Sequence, residues 1–242
     1  MKLKLACADF TFPILRHEQV LRLISMLDIE GVDIGLFEER SHLQPSLEFA
    51  NVRRRAGKLR QALEESGLTP ADFFLQLAVD YASRAINQPN ARRRREARNA
   101  FLNALDYVQL CGGRHLTGLP GIHFTDEKRR DSLSRAVDEL SWRVETAHCC
   151  GIVFAIEPHI GSLVDTPKRT ARLVRDVPGL TLTLDYGHFL PRRHKITAIE
   201  PLLRHTTHFH ARGANGATGS TSMSANTLNW QRVVDTMDSN NY

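Results

Sequence analysis

One charged residue ends an apolar β pattern in the segment 151–167, GIVFAIEPHIGSLVDTP. Because side chains alternate along a strand, Glu157 lies on the side opposite to Phe154 and Ile156. Farther on, Thr166-Pro167 is typical of a helix N-cap followed by proline at the first helical position. The segment therefore predicts a strand that ends in a carboxylate, then a loop, then a helix.

The same form recurs twice further along the chain. Segment 180–185, LTLTLD, ends in a carboxylate, and segment 206–210, TTHFH, ends in histidine. The end residues Glu157, Asp185 and His210 lie 28 and 25 residues apart, close to the roughly 30 residues that one strand–helix unit of a (β/α)₈ barrel occupies. The carboxyl ends of parallel strands meet at one edge, so we expect these three side chains to converge.

Strand and helix patterns alternate through all 242 residues, which predicts an α/β fold with a parallel sheet. The predicted strands are 2–8, 32–37, 73–79, 115–119, 152–157, 180–185 and 206–210. We interpret 1–242 as a single TIM barrel domain with seven visible βα units. A closed barrel pairs its last strand with its first, so we expect the barrel to be incomplete at its C-terminus, weakly stable and nearly inactive without an eighth strand.

Composition excludes several protein classes. Charged residues make up 24% and apolar residues 42% of the chain, values typical of a soluble globular protein. The sequence shows no membrane span and no secretory signal, and its four cysteines have no CxxC spacing. We therefore expect a cytoplasmic protein with buried free thiols.

The net charge of +5 permits attraction to anions. Much of it comes from Arg92–Arg95 and Arg98, at the start of a long helical pattern, and from Arg53–Arg55. A binding surface for single-stranded nucleic acid combines basic residues with aromatic residues that stack on the bases. No aromatic residues are interleaved with these arginines. A solvated helix face is the favoured interpretation, and a nucleic-acid partner is not expected.

Glu157, Asp185 and His210 form a ligand set of oxygen and nitrogen atoms. Such a set suits a divalent metal, Mn²⁺, Mg²⁺, Co²⁺ or Zn²⁺, and no thiolate selects zinc. A single glutamate at a strand end is often only an ion-pair partner, and a single histidine is often structural. Three such residues at one end of the sheet favour the metal site.

Three more residues are candidates for the same site. Gly187 lets the chain turn after Asp185, so His188 can return over the site as a substrate ligand or proton-transfer group. His159 is a further candidate for substrate binding. Arg212 shares the alternating face of His208 and His210 and can hold a hydroxyl, carboxylate or phosphate; a surface role remains open for each of these, and a structural role for His208.

The motifs IEPHIGSLVDTP, LDYGHF and HFHARGANG, with GVDIGLF and LTGLPGIHF, resemble the xylose isomerase-like TIM barrels, the sugar isomerase and epimerase superfamily. The resemblance implies one divalent metal bound by Glu, Asp, His and a final Glu. The first three correspond to Glu157, Asp185 and His210, and no residue of this chain corresponds to the fourth. In ketose 3-epimerases of the superfamily, the residues that correspond to His188 and Arg212 contact substrate.

The first hypothesis is a metal-dependent sugar isomerase or ketose epimerase, with Glu157 and His188 as catalytic residues and a sugar or sugar-like small molecule as substrate. Dehydration or another isomerisation on the same scaffold is also compatible with these residues. The rival hypotheses are an endonuclease IV-like DNA repair enzyme and a non-catalytic barrel with a vestigial site. A homo-oligomer is possible.

Overall fold

The computed structural model describes residues 3–240 and 242, and within them the chain forms an α/β fold. All assigned strand pairs are parallel, and the order of the strands in the sheet is their order along the chain. The strands are β1 Ala6–Ala8, β2 Gly31–Phe37, β3 Thr69–Gln76, β4 His115–Gly118, β5 Val153–Ile156, β6 Thr181–Leu184 and β7 Thr206–Phe209. The parallel sheet and its seven described strands agree with the sequence prediction.

Helices separate the strands, and their starts and ends follow local sequence signals. The α-helices are α1 His17–Met26, α2 Pro45–Glu48, α3 Val52–Ser66, α4 Ala91–Leu110, α5 Arg129–Cys149, α6 Pro167–Asp176, α7 Ile196–Ile199 and α8 Trp230–Ser239. As predicted, the side chain of Thr166 accepts a hydrogen bond from the Arg169 amide, and Pro167 is the first residue of α6. Gly67 ends α3 with φ of 66°, the left-handed geometry that glycine adopts without strain.

Several boundaries differ from the sequence prediction. Lys2 lies outside the described residues, and β1 begins only at Ala6. Strand β3 is Thr69–Gln76, whereas the sequence predicted 73–79. It can begin before Pro70 because proline is tolerated near the start of a strand. The sequence pattern of 46–66 predicts one continuous helix, but a 3₁₀ turn at Phe49–Asn51 interrupts it and the side chain of Asn51 caps α3.

Contacts divide the described chain into two compact units. One unit contains 3–118 and 142–154, and the other contains 119–141 with the described residues from 155 onward. The prediction that 1–242 acts as a single domain stays a prediction.

The unit with β1–β4 has an apolar core between the sheet and helix α4. The ring of Phe73 on β3 lies 6.3 Å from that of Tyr107, and the rings of Phe101 and Phe154 lie 5.1 Å apart, edge to face. Each of these four side chains is at most 5% exposed. Edge-to-face aromatic contacts of this kind add to the stabilisation from burial.

In the other unit, register aligns the ends of the three strands that precede the predicted site residues. Ala155 pairs with Thr181, and Thr183 pairs with His208. The amide of His210 donates to the carbonyl of Leu184 at 3.0 Å, so the ends of β6 and β7 remain side by side. This pairing places the residues that follow β5, β6 and β7 at one edge of the sheet.

Two smaller expectations concern the cysteines and the membrane. All four cysteines are free thiols, as expected, but only Cys111 is buried. Cys7 and Cys150 are half-buried and Cys149 is exposed, so the expectation of buried thiols is wrong for these three. Among the described residues, no helix is both long and apolar enough to cross a lipid bilayer.

Candidate functional site

The three predicted metal ligands each follow a strand directly. Glu157 comes after β5, Asp185 after β6 and His210 after β7. Glu157 and Asp185 are each only 3% exposed, and His210 is half-buried. Two buried carboxylates in one place need compensating charge or hydrogen bonds, because burial penalises ionised groups.

Two histidines supply that compensation at Glu157. The Nδ1 atom of His210 lies 2.7 Å from Glu157 Oε1, and the Nε2 atom of His188 lies 3.2 Å from Glu157 Oε2. Burial by itself raises the pKa of Glu157, but the hydrogen bonds from His188 and His210 outweigh it and hold the pKa well below its ordinary value. Glu157 is therefore ionised at neutral pH.

Asp185 has different surroundings. Its Oδ1 accepts a hydrogen bond from the Gly187 amide at 2.6 Å, and its Oδ2 forms an ion pair with Arg212 Nε at 2.7 Å. Burial and then the charge of Glu157 raise the pKa of Asp185, although Arg212 opposes the shift. The two carboxylates thus have pKa values displaced in opposite directions.

His188 lies between the two carboxylates. Its Nε2 is 3.2 Å from Glu157 Oε2 and 3.7 Å from Asp185 Oδ2, and Arg212 Nη2 is 3.3 Å from the same nitrogen. A nitrogen that donates a proton to Glu157 cannot also accept one from Arg212. His188 Nε2 can therefore hydrogen-bond either Glu157 or Arg212, depending on whether this nitrogen carries the hydrogen of the ring.

His159 contacts this group from its own loop. Its ring centroid is 4.2 Å from that of His188, and its Nδ1 lies 2.7 Å from the carbonyl oxygen of Ile160. Burial and the nearby His188 lower the pKa of His159, which favours the neutral ring. His208, by contrast, is half-buried on β7 with its ring 5.4 Å from that of His210.

The donor atoms fit a divalent metal. Glu157, Asp185 and His210 each offer a ligand atom, and these atoms lie within 4.8 Å of one another. Two carboxylates and one imidazole are the ligands that Mn²⁺, Mg²⁺, Co²⁺ and Zn²⁺ accept. The sequence placed these three residues together, and the structure brings them together.

A second set of donors was not anticipated. Glu157, His159 and His188 also offer ligand atoms within 4.8 Å of one another. The sequence singled out His159 and His188 as substrate contacts, and their convergence on Glu157 follows from loop geometry that no strand pattern encodes. The two sets share Glu157, so a change at this residue affects both.

The ion pair between Arg212 and Asp185 and the close approach of two glycines were also not anticipated. A Cβ atom on Gly187 would lie 2.2 Å from the carbonyl oxygen of Gly219, and one on Gly219 would lie 2.4 Å from that of Gly187. Only residues without a side chain allow this contact. The glycines of 213–220 are the sequence signal that could have indicated such a contact.

Comparison with known proteins identifies the family. A family model described as "Xylose isomerase-like TIM barrel" matches residues 21–242. No curated protein matches the chain. Solved structures, in contrast, match it over nearly its whole length.

Three of these structures illustrate the range. D-psicose 3-epimerase from Clostridium cellulolyticum H10 has a TM-score of 0.76 and 13% identity, with 99% of this chain and 82% of that chain covered. A 3-keto-D-glucoside 4-epimerase from E. coli has a TM-score of 0.77 and 15% identity, with coverages of 100% and 89%. A family 2 AP endonuclease from Brucella melitensis has a TM-score of 0.75 and 17% identity, with coverages of 99% and 90%.

At these identities the structural matches show the fold and leave the activity open. The family match rests on sequence and covers more than half of the chain. It confirms the resemblance drawn from the motifs around Glu157, Asp185 and His210. The chain therefore belongs to the xylose isomerase-like TIM barrel family.

Proposed function

We propose that the chain is a divalent-metal-dependent isomerase or epimerase of a sugar or a sugar-like small molecule. The observation that carries the proposal is the convergence of Glu157, Asp185 and His210 at the ends of three adjacent strands, with His188 beside Glu157. The similarity to solved epimerases adds support at the level of the fold.

The metal is assigned to Glu157, Asp185 and His210. A bound divalent ion supplies Lewis acidity that polarises carbonyl and hydroxyl oxygens of a substrate. Isomerisation and epimerisation both require removal of a proton from a carbon next to a carbonyl group. The chain's own side chains have to accept that proton and return it.

Glu157 is the proposed proton acceptor. Hydrogen bonds from His188 and His210 keep the carboxylate ionised at neutral pH, and because the same bonds lower its basicity, at least one of them has to break before Glu157 accepts a proton. His188 Nε2, 3.2 Å away, is within hydrogen-bond reach of the same carboxylate and can exchange a proton with it. We assign Glu157 and His188 as the catalytic pair.

Arg212, His188 and His159 are assigned to substrate binding. The side chain of Arg212 is 38% exposed, and its planar fork can hold hydroxyl or carboxylate oxygens. His159 is adjacent to His188, so both rings can contact one small molecule. Burial of Glu157 and Asp185 limits water at the reacting carbon, which favours proton return to the substrate.

The test combines the purified chain with Mn²⁺, Mg²⁺, Co²⁺ or Zn²⁺ and a panel of ketoses and aldoses in deuterated water. Isomerase or epimerase chemistry is expected to place deuterium next to the carbonyl carbon, as detected by NMR. Glu157→Gln is the matched control, because it removes the charge and keeps the shape. Exchange no faster than in Glu157→Gln, with every sugar and each of the four metals, would refute the proposal.

The DNA repair alternative has one observation in its favour, the similar fold of a family 2 AP endonuclease. Incubation of the metal-loaded chain with an abasic DNA duplex tests it directly. DNA cleavage that is lost in Glu157→Gln, together with no deuterium exchange on any sugar, would favour DNA repair over the isomerase proposal. Inactivity in both assays without metal binding would favour a non-catalytic barrel.

A further inference from the structure

Two loops of the site contact each other in two places, beside Glu157 and again at Asp165. The β5–α6 loop, 157–166, carries Glu157, and the β6–α7 loop, 185–195, carries His188. Beside Glu157, the rings of His159 and His188 have centroids 4.2 Å apart, and His188 Nε2 lies 3.2 Å from Glu157 Oε2. Both contacts form part of the site described above.

The second contact lies farther along both loops, at Asp165. Its Oδ2 accepts a hydrogen bond from Arg192 Nη1, and its Oδ1 accepts one from Arg169 Nη1 at 2.8 Å. The side chain of Asp165 is only 10% exposed, while those of Arg192 and Arg169 are 43% and 48% exposed. Both carboxylate oxygens are therefore used, one for each arginine.

The two arginines have different places in the chain. Arg169 lies on α6 four residues after Asp165, so this pair is local to a single helix start. Arg192 comes from the other loop, 27 residues away. Of the two, only the bond to Arg192 connects the loop of Glu157 to the loop of His188.

Asp165 is a firm point of attachment because its own loop is anchored. The amide of Leu163 donates to the carbonyl of Gly121 at 2.9 Å, and the carbonyl of Leu163 accepts from Arg129 Nη2 at 2.5 Å. These bonds hold the backbone two residues before Asp165. The hydrogen bond to Asp165 therefore fixes the position of the Arg192 side chain.

Arg192 can transmit that position to His188. Two short 3₁₀ turns, Tyr186–His188 and Leu190–Arg192, form the segment between Asp185 and Arg193. Arg192 lies four residues after His188, about 8 Å along such a helix at roughly 2 Å per residue. A tight segment of this length leaves little slack between the two side chains.

We propose that Asp165 is a positioning residue, which through Arg192 holds the β6–α7 loop so that His188 stays within reach of Glu157. The kinetic consequence rests on the proposed function, and the structural consequence does not. Errors of about 1 Å in the placement of a reacting group can lower a rate about 100-fold. A loose His188 is therefore expected to affect turnover more than substrate binding.

The test compares Arg192→Met with Arg169→Met in the full chain. Each variant removes one of the two arginine charges next to Asp165, but only Arg192→Met removes a bond between the two loops. We expect Arg192→Met to lower kcat about 10- to 100-fold with KM within about threefold, and Arg169→Met to change kcat less than threefold. Arg192→Lys, which retains the charge, is expected to recover most of the loss. Equal effects of the two methionine variants would overturn the proposal.

A second measurement does not depend on any activity. The imidazole signals of the metal-free chain in ¹H–¹³C NMR spectra can be assigned to His188 with a His188→Gln variant. The signal is expected to shift in Arg192→Met and to keep its position in Arg169→Met. An unmoved signal in Arg192→Met, with the fold intact by circular dichroism, would refute the positioning role. Asp165→Asn repeats both measurements if Arg192→Met folds poorly.

If wild-type chain turns over no sugar, the proposed function fails while the NMR comparison still decides the positioning role. If wild-type chain is active and the His188 signal is indifferent to Arg192, the proposed function stands and the positioning role fails. The two outcomes are therefore distinguishable.

Discussion

His210 lies 2.7 Å from Glu157, and His115 lies 2.7 Å from Asp72, but the two pairs have different surroundings. Asp72 is inside β3 and His115 begins β4, so backbone pairing within the sheet holds both residues. Glu157 and His210 lie just beyond their strands. Among the described residues, no set of three converging donor groups includes Asp72 or His115.

Asp9, the carboxylate that follows β1, is a second example of a buried acidic side chain with a structural role. Asp9 is fully buried, with Oδ1 bonded to the Gly35 amide at 2.9 Å and Oδ2 to His17 at 3.0 Å. Its hydrogen bonds hold the backbone of β2 and the start of α1 in place. Glu157, in contrast, is bonded to two histidine side chains. A single histidine partner therefore does not indicate a reactive site, since Asp9 has one; Glu157 differs because both of its oxygens face histidines and because it converges with Asp185 and His210.

The largest expected effect is on turnover. Glu157→Gln removes the charge and the proton acceptor, so we expect kcat to fall about 10³- to 10⁴-fold, within the usual range for such groups. Circular dichroism is expected to show an intact fold. The measurement is the rate of deuterium incorporation into the responsive sugar. Retention of more than a tenth of the activity would contradict the catalytic role of Glu157.

Metal binding is expected to distinguish the His210–Glu157 pair from the His115–Asp72 pair. An ion at about 100 times its Kd stabilises the folded state by about 2.7 kcal/mol, which raises Tm by several degrees in a chain of this size. His210→Ala is expected to abolish the increase of Tm caused by Mn²⁺, since it removes a ligand. His115→Ala is expected to lower Tm without metal and to keep the increase.

The same melting curves can contradict the assignment of His210 as a metal ligand. An equal loss of the Mn²⁺ effect in both variants would mean that the position of His210 beyond its strand has no special importance for the ion. The metal assignment would then have to be abandoned.

Asp9→Ala tests the backbone-binding carboxylate. It leaves the buried Gly35 amide without its acceptor, which costs about 1–3 kcal/mol. We expect a lower free energy of unfolding in urea, and an unchanged affinity for Mn²⁺ by calorimetry. A strongly reduced Mn²⁺ affinity with normal stability would show that Asp9 belongs with the ligands.

The smallest effect concerns the opposite pKa shifts of the two buried carboxylates. The pKa of Asp185 is raised in the folded state, so its ionisation costs stability as pH rises through that pKa. Asp185→Asn is then expected to raise the Tm of the metal-free chain at pH 7, by about 2–4 °C for about 1 kcal/mol. The loss of the bond to Arg212 is included in this difference.

Glu157→Gln is expected to change Tm in the opposite direction from Asp185→Asn. The pKa of Glu157 is lowered, so its stabilisation is present above the unfolded pKa and disappears as pH falls through the folded pKa. We expect a lower Tm for this variant at pH 7 without metal. Melting curves in which both substitutions shift Tm in the same direction would contradict the assigned pKa directions.

Much of the fold could be predicted because it depends on local patterns. The alternation in 152–157 and the Thr166-Pro167 pair specify a strand end and a helix start from neighbouring residues alone. The interruption at Phe49–Asn51 could not be predicted, since the helical pattern continues through it and the break depends on a cap at Asn51.

For the site, the sequence by itself determined which residues follow β5, β6 and β7, and hence that Glu157, Asp185 and His210 meet at one edge. Parallel pairing and the period of two are sufficient for that conclusion. Only the tertiary structure decided that His188 reaches Glu157, that Arg212 pairs with Asp185 and that Arg192 bonds Asp165. These contacts join residues 27 or more apart through loops without a period. No local pattern encodes them.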